Sequence, residues 1–272
     1  MKRKFLHSDK LVDKYIVKRN LPTIWCPGCG IGITLACMAR AIDKLELDKK
    51  DIILSVGIGC SGFSSRYVNF DAAHTTHGRA IAVATGMKIA EPEKHVIVLT
   101  GDGDCLAIGG NHFIHAGRRN INLTVILFNN SIYGMTGGQY SPTTPTGLAS
   151  RTSPLGLVEN SFDACRLAIA SGASYVARST TYHVNQMTDL IAEAITHPGF
   201  SVVEAVSQCP SQFGNINKLG TGAEMMRQYS MDYGKEKQGR FRTGVLLEEL
   251  RPEYTEEYEK IRVAAQSIMR KE

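Results

Sequence analysis

Five short apolar runs, at residues 51–56, 95–100, 121–128, 174–177 and 200–206, divide the chain, and each interval between them carries helical spacing. Runs of that length, apolar throughout rather than alternating, are strands buried on both faces. The helical stretches fall at 30–47, 77–90, 106–118, 162–172 and 182–196. In the first, Leu35, Met38, Ile42 and Leu45 recur at spacings of three and four and give one apolar face. Pro92 and Pro198-Gly199 stop the helices that precede them. Strand and helix in strict alternation predict an α/β fold, a mostly parallel sheet with helices on both faces.

Ligands of such sheets gather at the carboxyl ends of the strands. Four unusual segments fall there: Gly57-Ile58-Gly59-Cys60-Ser61-Gly62, Gly101-Asp102-Gly103-Asp104, Asn129-Asn130 and Cys209-Pro210. An Asp in a glycine-flanked turn presents a carboxylate to a hard cation, and the glycines let a phosphate approach the backbone. Asn130, on the next strand end, offers a second oxygen. Mg²⁺ is held in this way, by one or two protein oxygens together with phosphates. GDG followed by an Asn-Asn pair is the thiamine-diphosphate signature. The segment Gly57-x-Gly59-x-x-Gly62 also matches a dinucleotide fingerprint, but no helix opens at its third glycine. Ala82 stands where that fingerprint needs an acid.

The cysteines add a second chemistry. Cys26 and Cys29 flank a Pro-Gly turn ahead of a helix, while Cys60 and Cys209 sit on loops at the same sheet edge. By spacing alone, four thiolates fit a [4Fe–4S] cluster or an all-thiolate zinc site equally. Oxidative thiamine chemistry releases electrons that a cluster accepts and zinc does not, which favours the cluster. Cys37, Cys105 and Cys165 are read as plain buried thiols. No apolar segment follows the basic N-terminus as in a secretory signal, and the apolar runs are too short to span a bilayer. A cytoplasmic location with reduced thiols is expected, with no membrane contact.

Charge separates the chain into parts. Residues 1–20 carry seven basic and two acidic groups, which equals the net charge of +5, and the remainder is balanced. A nucleic-acid binder would show a basic stripe on its folded body, so none is expected as partner. The domains are a basic N-terminal arm (1–20), a thiamine-diphosphate and iron–sulfur domain (21–210) and a C-terminal extension (211–272). In the extension, residues 245–272 have amphipathic helical spacing. Residues 130–160, rich in Gly, Ser, Thr and Pro, form a functional loop.

The set WCPGCG, GIGCSG, HTTHGRA, GDGDCLAIGGNH, NNSIYGMTGGQYSPTTP and SQCP resembles the beta subunit of 2-oxoacid:ferredoxin oxidoreductases, over residues 25–210. The resemblance implies a thiamine-diphosphate-binding fold of the diphosphate-domain type. It implies Cys26, Cys29, Cys60 and Cys209 as ligands of a [4Fe–4S] cluster. It implies Asp102, Asn130 and the carbonyl of Ile132 as Mg²⁺ ligands. Ile58, Gly59, Cys60, Ser61, Gly103, Asp104, Gly134 and Met135 become the thiamine-diphosphate cradle.

The activity implied is coenzyme A-dependent oxidative decarboxylation of a 2-oxoacid, with electrons passed to ferredoxin. GMTGGQYSPTTP looks most like the 2-oxoglutarate enzymes; pyruvate and branched-chain 2-oxoacids are the alternatives. No Glu for thiamine activation is found, so an alpha subunit supplying it is implied, in an αβ or (αβ)2 assembly.

Further residues have two readings. His77 caps the helix near residue 78, as His74 does, or belongs to the site. Phe63 and Met135 pack or line a substrate pocket, and Thr136 contacts the diphosphate or only permits a turn. A non-oxidative thiamine lyase without a cluster, and a zinc-stabilised binding module, are the competing functions.

Overall fold

The computed structural model describes residues 8–269. Residues 1–7 of the expected basic arm lie outside them. The chain forms α1 (Ser8–Tyr15), α2 (Ile31–Lys44), β1 (Ile52–Val56), α3 (Ser64–Tyr67), β2 (Asp71–His74) and α4 (Ala80–Ala90). Then follow β3 (His95–Gly101), α5 (Gly110–Arg119), β4 (Leu123–Asn129), α6 (Ala164–Ser171), β5 (Tyr175–Thr180), α7 (Val184–Thr196) and β6 (Phe200–Val206). α8 (Gly222–Asp232), β7 (Gly244–Glu248) and α9 (Tyr254–Met269) complete it.

The seven strands form one sheet in the order β2-β1-β3-β4-β6-β5-β7. Every pairing is parallel except β5 with β7. Along each central strand, successive side chains enter opposite cores. Ile97, Leu99, Ile126 and Phe128 face α2 and α7 with Leu35, Met38, Ile42 and Ile191. Val96, Val98, Val125 and Leu127 face α4, α5 and α6 with Ile81, Phe113 and Ala168. Burial on both faces is why these strands read as unbroken apolar runs.

The expected elements are present, and the differences lie at the edges. The apolar pattern does not mark β2 or β7: β2 is four largely exposed residues, and β7 is the antiparallel edge. The amphipathic helix expected over 245–272 begins only at Tyr254, because 244–248 pairs with β5. In the stretch expected as an arm, α1 is folded against the body: Tyr15 is buried and stacks on Phe70, and Lys14 pairs with Asp43. No helix among the described residues is long and apolar enough to cross a membrane.

β1 and β3 are neighbours, yet β1 leads outward to β2 while β3 leads toward β4. This is a topological switch point, where the connections diverge and leave a crevice at the carboxyl ends.

Candidate functional site at the carboxyl edge of the sheet

The turn after β1 is tied to β3 by Gly57 N donating to Leu99 O at 2.9 Å. A side chain at residue 57 would overlap the Asp104 carboxylate, so only glycine fits. Gly59 has φ +113, open to glycine and strained for other residues. The turn after β6 is joined to its neighbours by Ser207 N donating to Asn129 O at 2.8 Å and Gly30 N donating to Gln208 O at 3.1 Å. Gln208 Nε2 also donates to Gly28 O at 3.0 Å. These bonds carry the Cys26–Cys29 turn beside Cys209. Trp25 Nε1 donates to Cys60 O at 2.7 Å and fixes that turn against the β1 loop.

Two cavities result. One, about 340 Å³, is lined by Ile58, Gly59, Cys60, Ser61, His77, Asp102, Gly103, Asp104, Asn130, Ile132, Gly134, Met135 and Thr136. The other, about 320 Å³, is lined by Trp25, Cys26, Cys29, Cys60, Phe63, Asn130, Gly134, Met135 and Cys209. Cys60, Asn130, Gly134 and Met135 line both. A Cβ added at Gly134 would lie 3.5 Å from Cys60 Sγ and 3.6 Å from Cys209 Sγ, so a bare backbone stands between the two spaces. A larger cavity, about 570 Å³, opens at the amino ends of the strands by His95 and His197 and contains none of the candidate site residues.

Asp102 is buried, and its Oδ2 accepts from Ser141 Oγ at 2.6 Å and Thr143 Oγ1 at 2.5 Å. Burial raises its pKa above the ordinary carboxylate value, against the pull of the two hydroxyls. Asn130 is half-buried on the cavity wall, and its Oδ1 accepts from Ile132 N at 3.4 Å. Asp104 is held differently. Oδ2 accepts from Thr100 Oγ1 at 2.6 Å and Oδ1 from Gly78 N at 2.7 Å, so the carboxylate anchors the 77–78 turn from the cavity floor. His77 Nδ1 lies 2.7 Å from that Oδ1 without hydrogen-bond geometry, and its ring is on the cavity wall. Neither His74 nor His77 caps α4, whose N-cap is Arg79.

Three of the four cysteines at this edge, Cys29, Cys60 and Cys209, have thiols held neutral by burial. Burial pushes Cys29 up to about 12 and Cys60 up to about 11, with the neighbouring thiols adding to both, and burial raises Cys209. Thiols of that kind are neutral at physiological pH and ionise when a metal displaces the proton.

The family described as thiamine pyrophosphate enzyme, C-terminal TPP binding domain matches residues 57–205, more than half of the chain. The 2-oxoglutarate synthase subunit KorB of Methanocaldococcus jannaschii is 49% identical over 258 residues, covering 91% of this chain and 96% of that protein. The chain belongs to the KorB family, the beta subunits of 2-oxoacid:ferredoxin oxidoreductases. Another such relative, the 2-oxoacid:ferredoxin oxidoreductase subunit beta of Saccharolobus solfataricus, is 43% identical over 69% of this chain and 62% of its own length. The solved 2-oxoglutarate:ferredoxin oxidoreductase from Magnetococcus marinus, with 2-oxoglutarate, coenzyme A and succinyl-CoA bound, aligns with TM-score 0.82 at 33% identity. That alignment covers 93% of this chain and 90% of the other.

In this KorB-family chain, every sequence-marked candidate lies on one of the two cavities. The sequence reading missed the residues behind them. Ser141 and Thr143 reach Asp102 from the polar loop, and Tyr133 OH donates to Gly103 O at 3.0 Å. Asn129 and Glu204 meet at 2.7 Å beneath the turn. The signals were the Asn129-Asn130 pair, marked at its strand end but with no partner assigned to Asn129, the hydroxyl-rich run Ser141-Pro142-Thr143-Thr144 and a Glu inside an apolar strand. The bystander thiols Cys37, Cys105 and Cys165 are buried away from both cavities.

Proposed function

We propose that this chain is the beta subunit of a coenzyme A-dependent 2-oxoglutarate:ferredoxin oxidoreductase. In this reading it holds thiamine diphosphate and Mg²⁺ in one cavity and a [4Fe–4S] cluster in the other. The observation that carries it is the shared wall: Cys60, Asn130, Gly134 and Met135 line both spaces.

The donor sets fit the groups. A buried carboxylate steadied by two hydroxyls, beside an amide oxygen and a turn carbonyl, suits Mg²⁺. Gly59, with open space where a Cβ would stand, leaves backbone free for phosphate oxygens. The sulfurs suit a cluster better than zinc. Around tetrahedral zinc, four thiolates lie roughly 3.8 Å apart. Among the described residues, three metal-ligating atoms come within 4.8 Å of one another only at Asp163, Cys165 and Glu204. Among the described residues, no three of the cavity cysteines are gathered so closely.

Thiamine diphosphate, when bound, supplies the carbanion chemistry that lets a 2-oxoacid lose CO₂, and a cluster takes up the electrons. The chain's own residues hold and orient. Asp102, Asn130 and the Ile132 carbonyl would grip the metal, and the loops at 58–61 and 103–104 would cradle the diphosphate. Cys26, Cys29, Cys60 and Cys209 would bind the cluster. Thr136 lines the first cavity, Phe63 the second, and Met135 both. The partners in this reading are an alpha subunit, which brings the rest of the thiamine site, and ferredoxin. The setting is the cytoplasm.

The test is anaerobic purification of the complex with its alpha subunit, then iron, sulfide and zinc analysis. Turnover against a panel of 2-oxoacids with ferredoxin follows. Brown protein with stoichiometric iron and sulfide, and preference for 2-oxoglutarate, is expected. A colourless zinc protein, or thiamine-dependent turnover that ignores ferredoxin, would sink the proposal.

A further inference from the structure

Glu204 is a carboxylate inside a strand whose every residue is buried, and it is only 2% exposed. An unpaired charge there is strongly destabilising. Its two oxygens have separate partners. Oε2 accepts from Arg178 Nε at 2.5 Å and from Cys165 Sγ at 3.2 Å; Oε1 accepts from Asn129 Nδ2 at 2.7 Å. Arg178 also donates to Asp163 Oδ1 at 2.5 Å. The metal-like grouping of Asp163, Cys165 and Glu204 is therefore already neutralised by a guanidinium that bonds both carboxylates.

Charge neutralisation needs Oε2 alone. Oε1 fixes the orientation of an amide. An Asn side chain presents either its oxygen or its nitrogen to a given neighbour. With Nδ2 committed to Glu204, Asn129 Oδ1 faces the turn and accepts from Ser131 N at 3.1 Å. Such an Asx-type bond supports a tight turn, and Ser131 stands in it at φ 61, a left-handed conformation uncommon outside glycine. Asn130 and Ile132 flank that residue, so the turn decides where the Asn130 side chain and the Ile132 carbonyl lie.

We propose that Glu204 is a positioning residue for the metal turn, holding Asn129 in one amide orientation and so setting the geometry of Asn130 and Ile132. This rests on the reading of Asp102, Asn130 and Ile132 as metal ligands given above.

The test uses the complex with its alpha subunit and Mn²⁺ as probe. Free Mn²⁺ is followed by electron paramagnetic resonance in the presence of thiamine diphosphate, and iron content reports an intact fold. Glu204→Gln keeps the shape but sets an amide nitrogen against Asn129 Nδ2. Asn129 must then turn over, and Ser131 N loses its acceptor. Mn²⁺ affinity is expected to fall about tenfold or more, as for other outer partners of metal ligands, with iron retained. The double variant Asn129→Asp with Glu204→Gln reverses donor and acceptor at unchanged total charge. The amide introduced on β6 donates to one oxygen of the carboxylate introduced on β4, and Ser131 N donates to the other, so affinity should return to the wild-type value.

Wild-type affinity in Glu204→Gln, or no recovery in the double variant, overturns the relay. If Glu204→Gln fails to assemble, the double variant decides by its affinity alone. Asp102→Ala separates the two ideas. Undiminished Mn²⁺ binding in that variant means the metal site itself is misassigned. Lost binding there, beside normal binding in Glu204→Gln, overturns only the relay.

Discussion

Thr143 Oγ1 lies 2.5 Å from Asp102 Oδ2, although the two residues are 41 positions apart. The polar loop after β4 thus folds back and steadies the carboxylate at the end of β3. Replacing the hydroxyl by a methyl group, in Thr143→Val, keeps the volume and removes the donor. Thiamine-diphosphate retention should then need roughly tenfold more Mg²⁺, with the cluster unaffected. Calorimetric titration of the complex at fixed cofactor measures this, and unchanged Mg²⁺ dependence would show the contact to be idle.

The thiols divide into two groups with opposite expectations. Cys60→Ala and Cys209→Ser remove sulfurs on the cavity wall and should abolish visible absorbance and most of the iron. Cys37→Ala truncates a buried thiol that donates only weakly to Val184 O, and iron content should stay normal. Iron analysis of the three variants under anaerobic conditions is sufficient. Full iron in Cys209→Ser would remove that residue from the ligand set.

At Gly103 an added Cβ would collide with the Tyr133 ring. That ring sits on the cavity wall, tied to the Gly103 carbonyl through its hydroxyl. Gly103→Ala should cost about 1–3 kcal/mol from overpacking and weaken thiamine-diphosphate binding more than it lowers melting temperature. Equilibrium dialysis with the cofactor and thermal melts of the same preparation compare the two effects. An equal loss in both would reduce this glycine to a packing role.

Alkali should distinguish metal-free from metal-loaded protein. Cys29 and Cys60 are raised from 9.0 to about 12 and about 11, mainly by burial. Their neutral forms stabilise the metal-free fold fully below the ordinary value, and that contribution disappears as pH rises through the raised ones. Chelator-stripped complex should therefore melt at falling temperature from about pH 9 to about pH 12, while the iron-loaded complex, whose thiolates are already ionised, should not share this loss. Parallel melting curves for the two forms would contradict the placement of these thiols.

Much of the fold was legible because its central strands are buried on both faces, which leaves apolar runs such as 121–128. β2 escaped because four residues, three of them exposed, carry no such pattern. β7 escaped because Val245, Leu246 and Leu247 suit a helix as well as a strand, and only pairing with β5 decides between them. The front of the site was legible through glycines and cysteines, whose gathering at strand ends demands a reason. Its supports were not. Ser141, Thr143 and Glu204 have ordinary side chains, and their roles exist only once segments distant in sequence lie together.

That distance has a consequence for how the protein matures. β6 pairs with β4 across the whole span that contains β5, and it brings both Glu204 and, just beyond it, Cys209. A nascent chain that has not yet placed β6 lacks one proposed cluster ligand and the clamp on Asn129. Completion of the cysteine-lined cavity is thus delayed until a late, non-local step. Loading of the proposed cluster becomes a reaction of the finished sheet, since an incompletely folded chain has not yet brought its fourth thiol to the other three.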